Sequence, residues 1–216
     1  MKYLLAILVL ALPLRGQVVT FQGEPKKEIE ASGKKISIFP RAEVLLPDDA
    51  APGLSTSLNL TGAGIRVKRI LFIHINAYVI ASYVEEVKKI DKENPLPGIK
   101  KSKVKVLHLT FLRNIGAGSI IDAFSESMKK NGFDLENPRL KIAFQRLNHD
   151  VPEGGTMTLT AYPKANGEEA IVFSGPAGES VSTGKDIAEI FWSIWFGIPS
   201  DGQMENLKKE LMAENR

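Results

Sequence analysis

The 216-residue chain contains no cysteine. That excludes a disulfide framework, a thiol nucleophile and a thiolate-bound metal. A chain of this length buries enough surface to fold without such staples. Histidine is scarce as well: His74, His108 and His149 stand apart, and none has a second ligating residue at strand or helix spacing. The expectation is therefore no metal and no cofactor, with His74 and His108 as packed or half-buried strand residues and His149-Asp150 as a turn. A strong excess of one charge is also missing, since 28 Lys plus Arg face 25 Asp plus Glu. Two of the basic residues, Lys2 and Arg15, belong to the opening segment, which leaves the rest close to neutral. A nucleic-acid partner is not expected.

Long hydrophobic runs are absent after the first one. Residues 1–16, MKYLLAILVLALPLRG, have a positive start at Lys2, an apolar run from Tyr3 to Leu14 and a small residue at Gly16. This is the anatomy of a secretory signal. At ~1.5 Å per residue the run reaches only ~18 Å, short of a ~30 Å hydrocarbon core. The chain divides into a signal peptide at 1–16, a leader or edge segment at 17–36 and one domain at 37–216. An exported protein, periplasmic or secreted, with no stable membrane span after signal cleavage is expected.

What is present is a β-rich first half and a more helical second half. Residues 37–47 are apolar enough for a strand, and 48–57 read as a loop through Pro, Asp and Gly. Leu58 to Val84 is dense in Ile, Val, Phe and Tyr and opens with Gly62-Ala63-Gly64. Both of its alternating faces are apolar, so it should be covered on both sides. Residues 91–102 form a polar connection and 104–111 a strand. A helix is predicted at 119–131, where Ile120, Ile121, Phe124 and Met128 recur at helical spacing and Asn131-Gly132 supplies a stop. A further helix is expected at 138–147, then strands at 156–162 and 169–173. Two helices close the chain, the first capped by Thr183 with Asp186 and the second by Ser200 with Gln203. This order favours an α+β fold, an antiparallel sheet covered by helices on one face.

Other motifs read blandly. Gly116-Ala117-Gly118 lacks the P-loop lysine and serves as a strand-to-helix turn. Lys100, Lys101, Lys103 and Lys105 read as a solvated loop and a charged strand edge. Phe191, Trp192, Trp195 and Phe196 are assigned mainly to core packing.

Three segments in order carry a family resemblance. LTGAGIRVKRILFIHINAYVIASYVE (60–85), LTFLRNIGAGSIIDAFSESM (109–128) and FWSIWFGIPSDGQMENLKKEL (191–211) resemble the chalcone isomerase family. The similarity spans roughly residues 37–212 and points to the family's exported bacterial branch, whose members generally lack a demonstrated isomerase activity. It implies an open-faced β-sandwich, a large antiparallel sheet with a helical layer over one face and a cleft between them. The plant enzymes close a chalcone phenolate onto an enone, using an arginine for the developing negative charge. A threonine and a tyrosine order water near the ketone, and an asparagine and a Ser or Thr meet the far ring.

Carried over by motif, the arginine falls on Arg66 and the threonine on Tyr78. The tyrosine becomes Ile120, the asparagine Ser127, and the last position Ile194, with Ser193 next to it. Losing a hydroxyl that stabilises the reacting oxygen costs on the order of ~3 kcal/mol, or ~10²-fold in rate. Plant-type cyclisation is therefore not expected, and Arg66 is the one catalytic candidate. The leading expectation is a non-catalytic domain binding a small apolar or carboxylate-bearing ligand, such as a fatty acid, through Arg66, Tyr78, Ile120, Ser127 and Ile194. An isomerase or lyase acting on an unknown substrate is the alternative. A third reading is an envelope interaction module whose cleft is filled by its own side chains. For Arg66 itself, pairing with an internal carboxylate or capping turn carbonyls competes with ligand anchoring.

Overall fold

The computed structural model describes residues 19–214. The stretch read as an export signal lies outside them. In chain order the elements are β1 (Val19–Gln22), β2 (Lys27–Ala31), β3 (Lys34–Ile38), β4 (Arg41–Val44), β5 (Ser57–Ile70) and β6 (Ile73–Val84). Then come α1 (Leu96–Lys101), β7 (Lys105–Phe111), α2 (Ala117–Lys130), α3 (Pro138–Arg146), β8 (Thr156–Pro163), β9 (Glu169–Gly175), β10 (Gly178–Gly184), α4 (Ile187–Phe196) and α5 (Gly202–Leu211).

Eight strands form one sheet in the order β1-β4-β5-β6-β7-β8-β9-β10, with every neighbouring pair antiparallel; β2 and β3 make a separate hairpin. The period of two in the central strands separates two cores. Tyr78, Ile80, Leu107, Leu109, Phe111, Leu159 and Phe173 pack against the helical layer. Val79, Ala81, Tyr83, Val106 and Val172 face the opposite side, where Ala31 and Ile38 of the small hairpin join them. This is the α+β architecture read from the sequence, with helices over one face of a large antiparallel sheet. Phe191, Trp192, Trp195 and Phe196 are all buried in the core of the helical side.

Several local readings are corrected. The apolar stretch 58–84 folds as a hairpin, turning at Leu71-Phe72 where Leu71 takes a φ of 54°. No Gly or Asn marks that turn, which is why the sequence pattern runs straight through it. Nor is the region covered throughout, because residues 71–73 are exposed. The interval 91–102 contains the helix α1. Within 37–47 the chain breaks at Phe39-Pro40, between β3 and β4. The polar edge strand β10 was not foreseen, since its alternation carries Ser and Thr rather than apolar residues. Thr183 lies in that strand, and the first cap of α4 is Asp186, in the left-handed region at φ 58°. Helix α5 is capped not by Ser200 but by Asp201, whose carboxylate accepts from Met204 N–H at 2.7 Å.

Lys105 is also unlike the solvated lysine expected. It is 1% exposed, donates to the Ser102 carbonyl at 2.8 Å and lies 5.9 Å from the Trp192 ring centroid. Desolvation pulls its pKa down, against the nearby Glu169 and Glu85 charges that raise it.

The glycines of Gly62-Ala63-Gly64 explain how α5 sits. A Cβ on Gly62 would lie 2.5 Å from the Leu211 carbonyl carbon and 2.7 Å from its oxygen, with the Glu210 carbonyl oxygen nearer still. A Cβ on Gly64 would lie 2.8 Å from Glu210 Cβ. The last turn of α5 therefore rests directly on the β5 backbone. Ile65 N–H donates to the Glu210 carboxylate at 3.3 Å, and Glu214 N–H donates to the Thr61 carbonyl at 2.9 Å.

Candidate functional site

A cleft of about 220 Å³ opens between the sheet and the helices at the β5–β6 end. Its floor comes from β5, β6 and β7 through Arg66, Ala77, Tyr78, Leu109 and Phe111. The α2 face supplies Ser119, Ile120, Ala123, Phe124 and Ser127, while Ile194 of α4 and Asp201 and Met204 of α5 close the far side. Lys68 and Arg69 line its rim. Much of the wall is apolar, and the polar lining comprises Arg66 and Asp201, the cations Lys68 and Arg69, Glu126 of α2, and the hydroxyls of Ser119, Ser127 and Ser200.

The β5–β6 turn between them brings Arg66 and Tyr78 together. They are direct cross-strand partners, with a bulge between Arg66 and Val67. Arg66 is 11% exposed at its side chain. Its guanidinium donates to both oxygens of Asp201, at 3.0 and 2.7 Å, and to the Val67 carbonyl at 2.8 Å. Both non-ligand roles weighed for this residue are thus present: it pairs with an internal carboxylate and satisfies a carbonyl beside the bulge. A guanidinium carries five N–H donors, so the three bonds leave two without an acceptor among the described residues.

Asp201 serves two partners, the Arg66 fork and the α5 N-terminus. Partial burial pushes its pKa up, but the hydrogen bonds from Arg66 and Met204 N–H outweigh that, and its carboxyl stays below the usual range. Burial pushes the Tyr78 phenol upward, only partly offset by the Trp195 hydrogen bond and the Arg66 charge. Tyr78 is therefore a neutral phenol at physiological pH. Trp195 Nε1–H donates to the Tyr78 oxygen at 3.1 Å, and Trp195 in turn meets Phe124 edge-on at 5.4 Å between centroids. The phenol's own O–H has no protein acceptor among the hydrogen bonds of the described residues, so a donor remains for an occupant of the cleft.

All five residues named from the sequence, Arg66, Tyr78, Ile120, Ser127 and Ile194, line this one cleft. Ser193 instead lies buried and donates to the Ile190 carbonyl at 2.7 Å. The sequence reading missed Asp201, which lies 135 residues from its partner, and the rim cations Lys68 and Arg69. The histidines stand elsewhere. His74 and His149 are exposed, and His108 Nδ1 lies 2.9 Å from Thr158 Oγ1 on the opposite face of the sheet, beside Phe21.

A profile of chalcone isomerase-like proteins matches residues 41–213. The chain belongs to the chalcone isomerase-like family. Among solved structures, the crystal structure of a fatty-acid binding protein from Arabidopsis thaliana is similar. It shares 14% identity, with 88% of this chain and 97% of that chain covered at a TM-score of 0.55. No curated protein sequence matches significantly. In this chalcone isomerase-like protein β5 brings an arginine to the cleft, while Ile120 and Ile194 present hydrocarbon wall.

Proposed function

We propose that this protein is a non-catalytic binder of a small apolar molecule with an anionic end, a fatty acid being the representative ligand. The observation that carries the reading is a largely apolar cleft in which Arg66 and Tyr78 stand side by side with donors that no described residue takes up. Because Asp201 already neutralises Arg66, the ligand's carboxylate would be held by hydrogen bonds from Tyr78 and the two free guanidinium N–H groups. Lys68 and Arg69 at the rim outnumber Glu126 of α2 and leave the cleft with a net positive charge. The similarity to a plant fatty-acid binding protein supports the same class of ligand.

Isomerase chemistry on an unknown substrate has less support. An arginine held by a carboxylate offers a weaker field to a developing anion than a free one, and Ile120 provides no proton or hydrogen bond. The sequence of residues 1–16 supports export as part of the same proposal, within a bacterial branch of the family.

Native mass spectrometry of the purified protein, followed by solvent extraction, tests the ligand. A fatty acid released from wild type and lost from Arg66→Ala and Tyr78→Phe is the expected result. Extracts free of lipid, together with no binding of added fatty acid by folded wild type, would overturn the reading.

A further inference from the structure

The β5–β6 hairpin extends beyond its neighbours. The β6–β7 ladder ends at Tyr78 paired with Phe111, and β4 pairs with β5 only as far as Asn59. Residues 67–70 and 73–76 pair only with each other. From Tyr78 to Ile73 this two-stranded ribbon runs about 17 Å at ~3.3 Å per residue. At its tip Leu71, Phe72 and Ile73 are 82%, 89% and 66% exposed. Leu71 also holds a φ of 54°, a conformation in which hairpin turns ordinarily place Gly or Asn. A leucine here is unfavourable twice over, in its backbone and in its exposure to water. Backbone strain of this kind at an exposed apolar tip directs attention to a function for the tip itself.

The charge on the ribbon itself has one sign, with the carboxylates of Glu126 and Asp201 lying across the cleft on the helical side. No Asp or Glu occurs between Asp49 and Glu85. Lys68 and Arg69 are exposed on the ribbon, Arg69 stands opposite His74, and Arg69 Nε–H donates to the Leu71 carbonyl at 3.1 Å. A protruding tip of three apolar residues is too narrow for a specific protein interface, which needs on the order of 1,000 Å² or more. An apolar wedge with a cationic collar matches the boundary between lipid headgroups and acyl chains.

We propose that Leu71-Phe72-Ile73 inserts into the interface of a bilayer bearing anionic headgroups, with Lys68 and Arg69 resting on the headgroup layer. Lys68 and Arg69 also form the rim of the cleft. Docking brings the cleft mouth against the lipid surface, where an apolar occupant can pass without crossing bulk water. The docking itself depends only on the hairpin and holds whether or not the cleft carries a fatty acid.

The test uses the full chain. Because it has no cysteine, Phe72→Cys gives a single site for an environment-sensitive NBD label, and Ile142→Cys on α3 gives an exposed control. On adding phosphatidylcholine vesicles with about one-third phosphatidylglycerol, and no fatty acid, emission at 72 rises several-fold and shifts to the blue while that at 142 does not. Lys68→Gln with Arg69→Gln weakens partitioning about 30-fold, at about fivefold per cation. Leu71→Asn with Phe72→Ser weakens it at least tenfold without lowering the thermal midpoint, since Asn suits the left-handed turn. All variants share the same first 18 residues, so differences among them belong to the hairpin.

Three results would overturn the proposal. One is an unchanged label at 72 on vesicles. Another is an equal response at 72 and 142, which assigns membrane contact to a different segment. The third is a label already shielded in buffer alongside a dimer mass that Leu71→Asn with Phe72→Ser abolishes, which assigns the tip to a second copy of the chain.

Discussion

Replacing Gly62 by Ala is expected to loosen α5 and, through it, the cleft. The added Cβ would stand 2.5 Å from the Leu211 carbonyl carbon, whereas unstrained heavy-atom contacts lie near ~3.5 Å. The last turn of α5 must then retreat by about 1 Å. Buried Leu207, Leu211 and Met212 move with it, and a gap of that size forfeits a quarter to a half of each affected dispersion contact. Overpacking of this kind costs about 1–3 kcal/mol, or about 3–10 °C in thermal midpoint for a chain this long. Gly118→Ala is the counterpart. Its Cβ meets nothing within 4 Å in the first turn of α2, so it should stabilise by about 0.5–1 kcal/mol. Gly64→Ala falls between them but nearer Gly62→Ala: the Glu210 carboxylate can swing aside at the cost of its bond to Ile65 N–H, whereas Glu210 Cβ, 2.8 Å away, moves only with the helix. Calorimetry on the three variants checks the order. A Gly62→Ala midpoint equal to wild type, or a lower midpoint for Gly118→Ala, would refute the packing argument.

Two further outcomes are expected. Desolvation pushes the His108 pKa down to about 4, so the folded state binds fewer protons than the unfolded state between that value and about 6.5, and stability falls as pH drops through this window. At about 1.4 kcal/mol per unit the loss is at most about 3 kcal/mol; urea midpoints should show it in wild type and not in His108→Gln, and matching pH profiles would refute it. Tyr78→Phe removes the acceptor of buried Trp195 Nε1–H, so besides losing a ligand donor it should cost about 1–3 kcal/mol of stability, read from the same urea titration.

Legibility followed the range of the forces involved. Local periodicity was sufficient for α2, α3, β7, β8 and β9, whose apolar spacing and stop signals are written within a dozen residues. It could not locate the turn at Leu71-Phe72, which is made by residues that resemble strand, and it failed at β10 because an edge strand needs no apolar alternation. Lys105 is one lysine among four in sequence, and only the tertiary fold distinguishes it by laying it beside Trp192. The five cleft positions came from motif resemblance, not from spacing, and their convergence depends on a hairpin and two helices, α2 and α4, that no short window contains. Asp201 was invisible for the same reason: its partner is on the far side of the chain.

The union of α5 with β5 also sets the order in which the molecule can be completed. Nearly every sheet pairing joins strands that follow one another in the chain, so most of the meander can zip locally, the fast mode for a β-rich protein. The Arg66–Asp201 and Ile65–Glu210 contacts instead close loops of 135 and 145 residues. They cannot form until the C-terminal helix has left the ribosome. During synthesis the cleft is therefore an open apolar trough on a finished sheet, and the guanidinium in it waits for its carboxylate. A chaperone that shields this surface would act in the interval between the emergence of β10 and the docking of α5.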